Sequence, residues 1–390
     1  MKQAIVLAAG EGQRLRPFTV TRPKVMLNIA GKPILQYVIE ALAQDGVRKI
    51  VVVVGYKKEQ VFDHLGNGDH LGVEIVYVSQ ERQLGTAHAL LQAKRSVHGE
   101  FVVLGGDNLI DAETIKEFVN AEPPAVLVKQ VQDASRYGVV RAEGGQIREI
   151  LEKPAGVFGD KVNTGIYAFN ESVFDLIQDN LQLPDVVNSM LNKSSVNALE
   201  TRGTWLDAVY PWDIVRLNAA VLEHTMPKVG GTVESGSTLK GAVSIGKETI
   251  IRSNCYIVCP VIIGDNCEIG PNVCVLPSST IGDNVSIAPF TTVENSVIGH
   301  DVSICPGCIV EDSVIDRGCV IRGHFTASSG QADVKVEEEH HEVNVGAMIG
   351  ISCSLGSNVI AEPGTILGNY SEVQSMKVLR GNLPDRSRVL

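Results

Sequence analysis

The sequence has no surplus of positive charge: 34 lysines and arginines stand against 45 aspartates and glutamates, a formal net charge of −11. That excludes broad nucleic-acid binding, which needs a basic surface. It also means that a site for phosphorylated ligands must rest on a few positioned cations, because the overall field repels anions. The opening stretch Met1–Gly10 is apolar but too short for a membrane span and lacks a cleavage-site pattern. It reads as a first β-strand, and the chain as cytoplasmic. Cysteine is absent from the first 250 residues; all eight follow, as Cys255, Cys259, Cys267, Cys274, Cys305, Cys308, Cys319 and Cys353. A secreted disulfide scaffold would be smaller and loop-rich, so free buried thiols are expected. With 44% hydrophobic and 20% charged residues the chain is globular rather than disordered, and 390 residues imply two domains.

The first half alternates apolar strands with helical stretches. Lys49 to Gly55 and Phe101 to Gly105 are continuously apolar, as strands buried on both faces of a largely parallel sheet are. Val73 to Val78 reads as a further strand. Between the first strand and Lys49, residues Ile34, Leu35, Val38, Ile39 and Leu42 fall at helical spacing behind Pro33. The expected class is α/β, with a Rossmann-like sheet over residues 1–226.

Near residue 228 the period changes to six. Ile245, Ile251, Ile257, Ile263, Ile269, Val275, Ile281, Ile287 and Val293 recur at one phase, with a small or β-branched residue four positions after each, from Thr249 and Cys255 to Val285 and Thr291. Neither helix nor ordinary strand has that period; a triangular coil with three six-residue sides does. The row resumes at Ile298, Ile304 and Val310, then at Ile315 and Ile321, and again at Ile349, Leu355, Ala361 and Leu367. Residues 227–390 are therefore expected to form a parallel β-helix, interrupted around 324–342 by a solvated loop that carries Glu337, Glu338, Glu339, His340 and His341. Cys305-Pro306-Gly307-Cys308 lacks a second pair at zinc spacing, and packing accounts for the cysteines.

The densest motif is Leu7-Ala8-Ala9-Gly10-Glu11-Gly12-Gln13-Arg14-Leu15-Arg16-Pro17, followed by Arg22-Pro23-Lys24 and Gly31-Lys32-Pro33. A buried strand ends in small residues, so backbone N–H groups can approach a phosphate chain, with Arg14 and Lys24 as cations. It is not the dinucleotide fingerprint, since Leu15 stands where a third glycine is needed, and no Gly-Lys-Ser/Thr follows. Asp107 closes an apolar strand, and Asp207 follows Trp205 in a segment that could return to the same sheet edge. Two carboxylates with phosphate oxygens form a hard oxygen cage suited to Mg²⁺.

This segment resembles the signature of the sugar-1-phosphate nucleotidylyltransferases. The resemblance continues through Gln80, Gln83-Leu84-Gly85-Thr86-Ala87, Gly106-Asp107, Tyr137-Gly138, Glu152-Lys153-Pro154, Asn163-Thr164-Gly165 and Trp205-Leu206-Asp207. The hexapeptide half resembles the left-handed β-helix of the bifunctional N-acetylglucosamine-1-phosphate uridylyltransferase/glucosamine-1-phosphate acetyltransferases and their archaeal relatives. The resemblance implies attack of a sugar-1-phosphate on the α-phosphorus of UTP or dTTP. Leu7, Ala9, Gly10, Gly12, Gln80, Gln83, Gly85 and Thr86 would face the nucleotide, and Gly138, Glu152, Lys153 and Asn163 the sugar phosphate. Asp107 and Asp207 would hold Mg²⁺, Arg14 would steady pyrophosphate, and Lys24 would hold the sugar phosphate or the α-phosphate. An acetyl-CoA-dependent transfer in the β-helix, with His324 as base, is a second reading. A non-catalytic sugar-nucleotide-binding homologue is a third. His300, His340 and His341 are expected at the surface, and side-by-side association of β-helices implies a homotrimer.

Overall fold

The computed structural model of the protein describes residues 1–134, 136–152, 159–177 and 180–390. The apolar runs form the strands the pattern requires. β1 (Gln3–Ala8) lies between β2 (Lys49–Val54) and β4 (Glu100–Gly105), and β3 (Glu74–Ser79) flanks β2, all parallel. Side chains alternate between two cores: Ala4, Val6, Ile50 and Val52 face one, Ile5, Val51 and Val53 the other. Both faces are covered, so these strands carry almost no polar residues. The sheet then continues with β6 (Ala125–Gln130), β7 (Val139–Glu143), β8 (Gln146–Leu151), β9 (Lys161–Asn170) and β10 (Asn197–Thr201), while β5 (Asn108–Ile110) and β11 (Trp205–Asp207) form a separate antiparallel pair. The nine-stranded order is β3-β2-β1-β4-β9-β6-β10-β8-β7.

The expected helix is α1 (Ile34–Gln44), entered from Pro33, and it buries Leu35, Val38, Ile39 and Leu42 beside α4 (Ala112–Val119). α2 (Lys58–Leu65) packs on the same face. α3 (Thr86–Gln92) and α5 (Leu183–Met190) cover the other. Strand order reverses at β1, where β2 and β3 lie to one side and β4 to the other. That is the crevice in which ligands of open α/β sheets bind, beyond the strands' carboxyl ends.

The second unit is a left-handed parallel β-helix. Three parallel sheets of nine, nine and eight strands run its length. In-register partners such as Ile245, Ile263 and Ile281 stack into one apolar column, and Ile251, Ile269, Ile287 and Ile304 into another. Corner residues such as Asn254, Asn266, Asn272 and Asn284 adopt positive φ, which asparagine tolerates better than most residues. All eight cysteines are free, five of them buried in the coil.

In packing, residues 12–21 and 27–32 cluster with Ala208–Leu390. The reason is α6 (Asp213–Leu222), which lies against coil strands Ser279–Ile281 and Val297–Ile298. Its fully buried Asn218 accepts from Ala30 N (2.9 Å) and Thr280 Oγ1 (2.7 Å) and donates to the Ser278 carbonyl (2.9 Å). Buried amides left unpaired are costly, and this one is paired on both atoms. Likewise, Asn369 donates to the Pro17 carbonyl at 3.0 Å. One feature differs from the expectation: the interruption is not a loop. The coil runs on through Thr326–Ala327, and the excursion is an antiparallel hairpin of Gly330–Val336 with Glu339–Val345. Its alternation explains this: Ala332 and Val334 lie over Gly364, where a Cβ would meet them at 2.6–2.8 Å, while Lys335 and His340 point outward.

Candidate active site

The carboxyl ends of β1 and β4 open into a cavity of about 720 Å³, within the range of small-molecule sites. Of the residues expected to bind nucleotide, Leu7, Ala9, Gly10, Gln80, Gln83, Gly85 and Thr86 line it. So do Lys24, Asp107 and Asp207, and so do Gly138, Glu152 and Asn163. Lys153 lies outside the described residues. Gly12 and Arg14 do not line the cavity.

Backbone and amide geometry prepare one end. Gln83 Nε2 donates to the Ala9 carbonyl at 2.9 Å, tying the small-residue loop to the segment before α3. Gln80 is buried; its Nε2 donates to the Gly85 carbonyl at 3.0 Å and lies 2.9 Å from His88 Nδ1. Both amides therefore brace the turn that faces the cavity. Thr86 Oγ1 donates to Gln182 Oε1 (3.1 Å) and accepts from Leu183 N (2.9 Å), and Ala87 N donates to the Leu181 carbonyl (2.9 Å). Residues Gln182–Asp185 thereby join the wall, a contribution the sequence reading missed. Their one signal was Pro184 in the first turn of α5, which marks where that helix begins. Gly85 has φ +140°, and a Cβ there would collide with the Leu181 carbonyl. Gly85→Ala should therefore displace that wall, lowering stability by about 1–3 kcal/mol and raising the nucleotide KM several-fold. Thermal melts and KM values indistinguishable from wild type would refute this tight-turn account.

The opposite end is acidic. Asp107 sits in the turn between β4 and β5, and Asp207 ends β11; because β11 pairs with β5, Asp207 lies opposite Asn108. The antiparallel pairing brings two carboxylates separated by a hundred residues of chain into one cavity. Lys24 Nζ forms an ion pair with Asp107 Oδ2. Tyr137 Oη donates to Asp207 Oδ1 at 3.0 Å. Among the described residues no group of three or more His, Cys, Asp or Glu side chains forms a closed metal cage. Two carboxylates, one already attracting an ammonium, fit a hard divalent cation that takes its remaining ligands from phosphate oxygens and water.

In the wall expected to face the sugar phosphate, a Cβ on Gly138 would approach Glu152 Oε2 to 2.9 Å, so glycine there keeps the carboxylate against the backbone. Asn163 is spent within its own strand, donating from Nδ2 to Tyr167 Oη (2.7 Å) and accepting from Gly165 N (3.1 Å) where the pairing of β9 with β6 is irregular. Burial pushes the Tyr167 phenol far above its usual range, so it stays protonated.

Arg14, expected to steady pyrophosphate, has carboxylate partners in the structure. Its Nε donates to Glu337 Oε2 at 3.1 Å, and Nη2 lies 3.9 Å from Glu339 Oε1, both at the hairpin tip. These partners keep it charged, with the Glu337 hydrogen bond the larger influence. The pair is a third to half exposed, so it contributes about 0–1 kcal/mol and exchanges readily.

The coil histidines fall in several settings. His324 is an exposed corner residue at φ +60°. His300, expected at the surface, is half-buried: Nδ1 accepts from Asp283 N at 2.9 Å, and Nε2 lies 3.3 Å from Asn28 Nδ2. His341, also expected in water, packs on Tyr210 and Trp212 with ring centroids 4.2 and 5.7 Å away. Those aromatics precede α6, and sequence spacing gave no sign of the contact. His340 is exposed as expected and pairs with Asp333.

A sheet whose ligand crevice holds a small-residue loop, a lysine and two facing carboxylates defines a nucleotide-handling α/β enzyme. The chain belongs to the nucleotidyl transferase family, whose model matches residues 3–223. A bacterial transferase hexapeptide model matches residues 260–295. The chain is 35% identical over 261 residues to the bifunctional protein GlmU of Methanococcus maripaludis, covering 64% of this chain and 62% of that protein. It thus spans less than two thirds of the length of that relative. It is 37% identical over 238 residues to the UTP–glucose-1-phosphate uridylyltransferase AglF of Haloferax volcanii, covering 57% of this chain and 98% of that protein. A crystal structure assigned as a glucose-1-phosphate thymidylyltransferase from Bacillus anthracis, in complex with sucrose, superposes with a TM-score of 0.54 at 29% identity, covering 58% of this chain and 97% of that one. Members of the family generally use a divalent metal. Among the described residues no helix is long and apolar enough to cross a membrane.

Proposed function

We propose that the chain joins a pyrimidine nucleoside triphosphate, UTP or dTTP, to a hexose-1-phosphate, glucose-1-phosphate or N-acetylglucosamine-1-phosphate. An oxygen of the sugar phosphate attacks the α-phosphorus, the bond from that phosphorus to the bridging oxygen breaks, and pyrophosphate leaves. The observation that carries the reading is the convergence of Asp107, Asp207 and Lys24 on the cavity formed by the Ala9-Gly10 loop. The nucleophile is already an anion near neutral pH, so no general base is needed; the protein's task is in-line positioning and charge stabilisation. Asp107 and Asp207 would hold Mg²⁺, which would offset the negative charge of the two phosphate groups. Lys24 exchanges Asp107 for the sugar phosphate or the α-phosphate. The loop N–H groups bind the triphosphate, the Gln80–Thr86 turn packs against the base, and Glu152 accepts from sugar hydroxyls. A panel crossing UTP and dTTP with the two sugar phosphates, read by pyrophosphate release, tests this. Release with none of the four pairs would refute the reading.

The reducing cytoplasm suits eight free thiols. For assembly, the three sides of the β-helix differ. α6 lies against one, and Val297, Val314, Met348 and Ile366 on it are buried. A second presents Glu268, Ser286, Ser303 and Glu372. The third, from Thr238–Lys240 to Val378–Leu379, exposes Tyr256, Ile309, Ile360 and Val378. An outward apolar row on a flat parallel sheet is suited to further copies of the same surface, and we assign it the contact of a homotrimer.

The second reading, acetyl transfer from acetyl-CoA in the coil, is favoured by the bifunctional relative but not by the local geometry. A histidine base needs a group that orients its ring. Among the described residues no carboxylate or carbonyl contacts the His324 imidazole; the ring stands over Gly307. Purified protein with acetyl-CoA and glucosamine-1-phosphate should release no CoA above background. Thiol release abolished by His324→Ala would make the chain bifunctional.

A further inference from the structure

Tyr137 belongs to none of the roles assigned above, yet its hydroxyl meets the acidic end of the cavity. We propose that Tyr137 is a positioning residue for Asp207, fixing which carboxylate oxygen is presented to a bound divalent cation; this rests on the two-carboxylate reading of the site. Tyr137 Oη donates to Asp207 Oδ1 at 3.0 Å. The ring is not free to swing away. It packs edge-on against Trp205, with centroids 5.2 Å apart at 60°. Trp205 is 4% exposed, and its indole N–H donates to the Thr164 carbonyl at 3.1 Å. Trp205 also sits two residues before Asp207 on β11, so the platform and the carboxylate belong to one strand. The neighbouring Gly138 carbonyl accepts from Asn163 N at 2.8 Å, anchoring the segment that delivers Tyr137 to the β9 wall.

The physical effect follows from the chemistry of a carboxylate. Its two oxygens are equivalent, and rotation about the Cβ–Cγ bond interchanges them at little cost. A phenol hydroxyl donating to Oδ1 selects one rotamer and directs Oδ2 elsewhere. Outer-shell donors of this kind orient metal-binding carboxylates, and their removal costs about 10- to 100-fold in metal affinity or activity. A merely structural tyrosine would act through its ring, and a sugar contact would act through the sugar's KM. The hydroxyl separates these roles.

Tyr137→Phe keeps the ring on Trp205 and removes only the donor. Mn²⁺ binding in the presence of UTP, followed by the loss of the free-ion electron paramagnetic resonance signal, should weaken about tenfold or more. kcat should fall by a similar factor, with the sugar-phosphate KM within about twofold of wild type and the melting temperature preserved. Unchanged Mn²⁺ affinity overturns the proposal, whether the variant then shows a raised sugar KM, a lowered melting temperature or no effect. Asp207→Asn, measured alongside, separates the two levels. If Asp207→Asn binds Mn²⁺ as wild type does, the two-carboxylate reading itself falls. If it binds weakly while Tyr137→Phe binds normally, only the positioning role is lost.

Discussion

Asp107→Ala and Asp207→Ala should each lower the rate of pyrophosphate release by on the order of 10²–10³-fold, about 3–4 kcal/mol of transition-state stabilisation, while the fold survives. Each carboxylate sits in a turn or at a strand end beside the cavity, not in a packed core, so truncation leaves no large void. The loss should be electrostatic. Asp107→Ala removes the carboxylate that pairs with Lys24, and Asp207→Ala the one that accepts from the Tyr137 hydroxyl. On the proposed reading, either change removes one of two anionic ligands from a site that must gather phosphate charge. EDTA should silence the wild-type enzyme to the same degree, with activity restored by excess Mg²⁺ but not by monovalent salt. Circular dichroism and melting curves of both variants should match wild type. A variant that releases pyrophosphate at near wild-type rate would remove its carboxylate from the metal site.

The second large effect concerns assembly. The full chain should sediment at close to three times its chain mass of 41.9 kDa, and the double variant Ile309→Asp/Ile360→Asp should sediment as a monomer. Both side chains point outward from the third side of the coil, 38% and 46% exposed, so aspartate there does not disturb the inner column of Val310 and Ala361. In a contact between copies, each charge would be buried without a partner on every interface, which costs several kcal/mol per site. The same substitutions at Glu268 and Glu372 of the polar side, reversed to lysine, should leave the mass unchanged. A monomeric wild-type chain at micromolar concentration, or a trimeric double variant, would contradict the assignment of this side.

Much of this was legible in one dimension because the relevant signals are local or strictly periodic. Every sixth residue from Ile245 to Val293 must enter one core, and the structure stacks those residues in columns. The doubly buried strands at Ile5 and Val51 announce themselves by lacking polar residues, and Pro33 marks the start of α1. The small-residue loop, Lys24 and Asp107 follow from strand ends in a sheet of known winding. Family resemblance then pointed to Gly138, Glu152 and Asn163, which line the cavity and which no spacing rule would have found.

What the sequence could not reveal are contacts between residues far apart in the chain. Glu337–Glu339 read as a solvated acidic loop, because charge runs usually are one; only the folding of Gly330–Val345 into a hairpin shows that Glu337 and Glu339 hold Arg14, more than three hundred residues earlier. His341 looked like a surface histidine until Tyr210 and Trp212 closed on it. Gln182–Asp185 carried no motif, and joined the cavity wall through hydrogen bonds to Thr86. The sequence by itself determined the elements, their period, and the chemistry available at the strand ends, since those depend on residues within a few positions of one another. The tertiary structure alone decided which carboxylate meets which cation and which hydroxyl, because side-chain pairing is fixed by the register of strands such as β5 and β11, a long-range choice that no local pattern encodes.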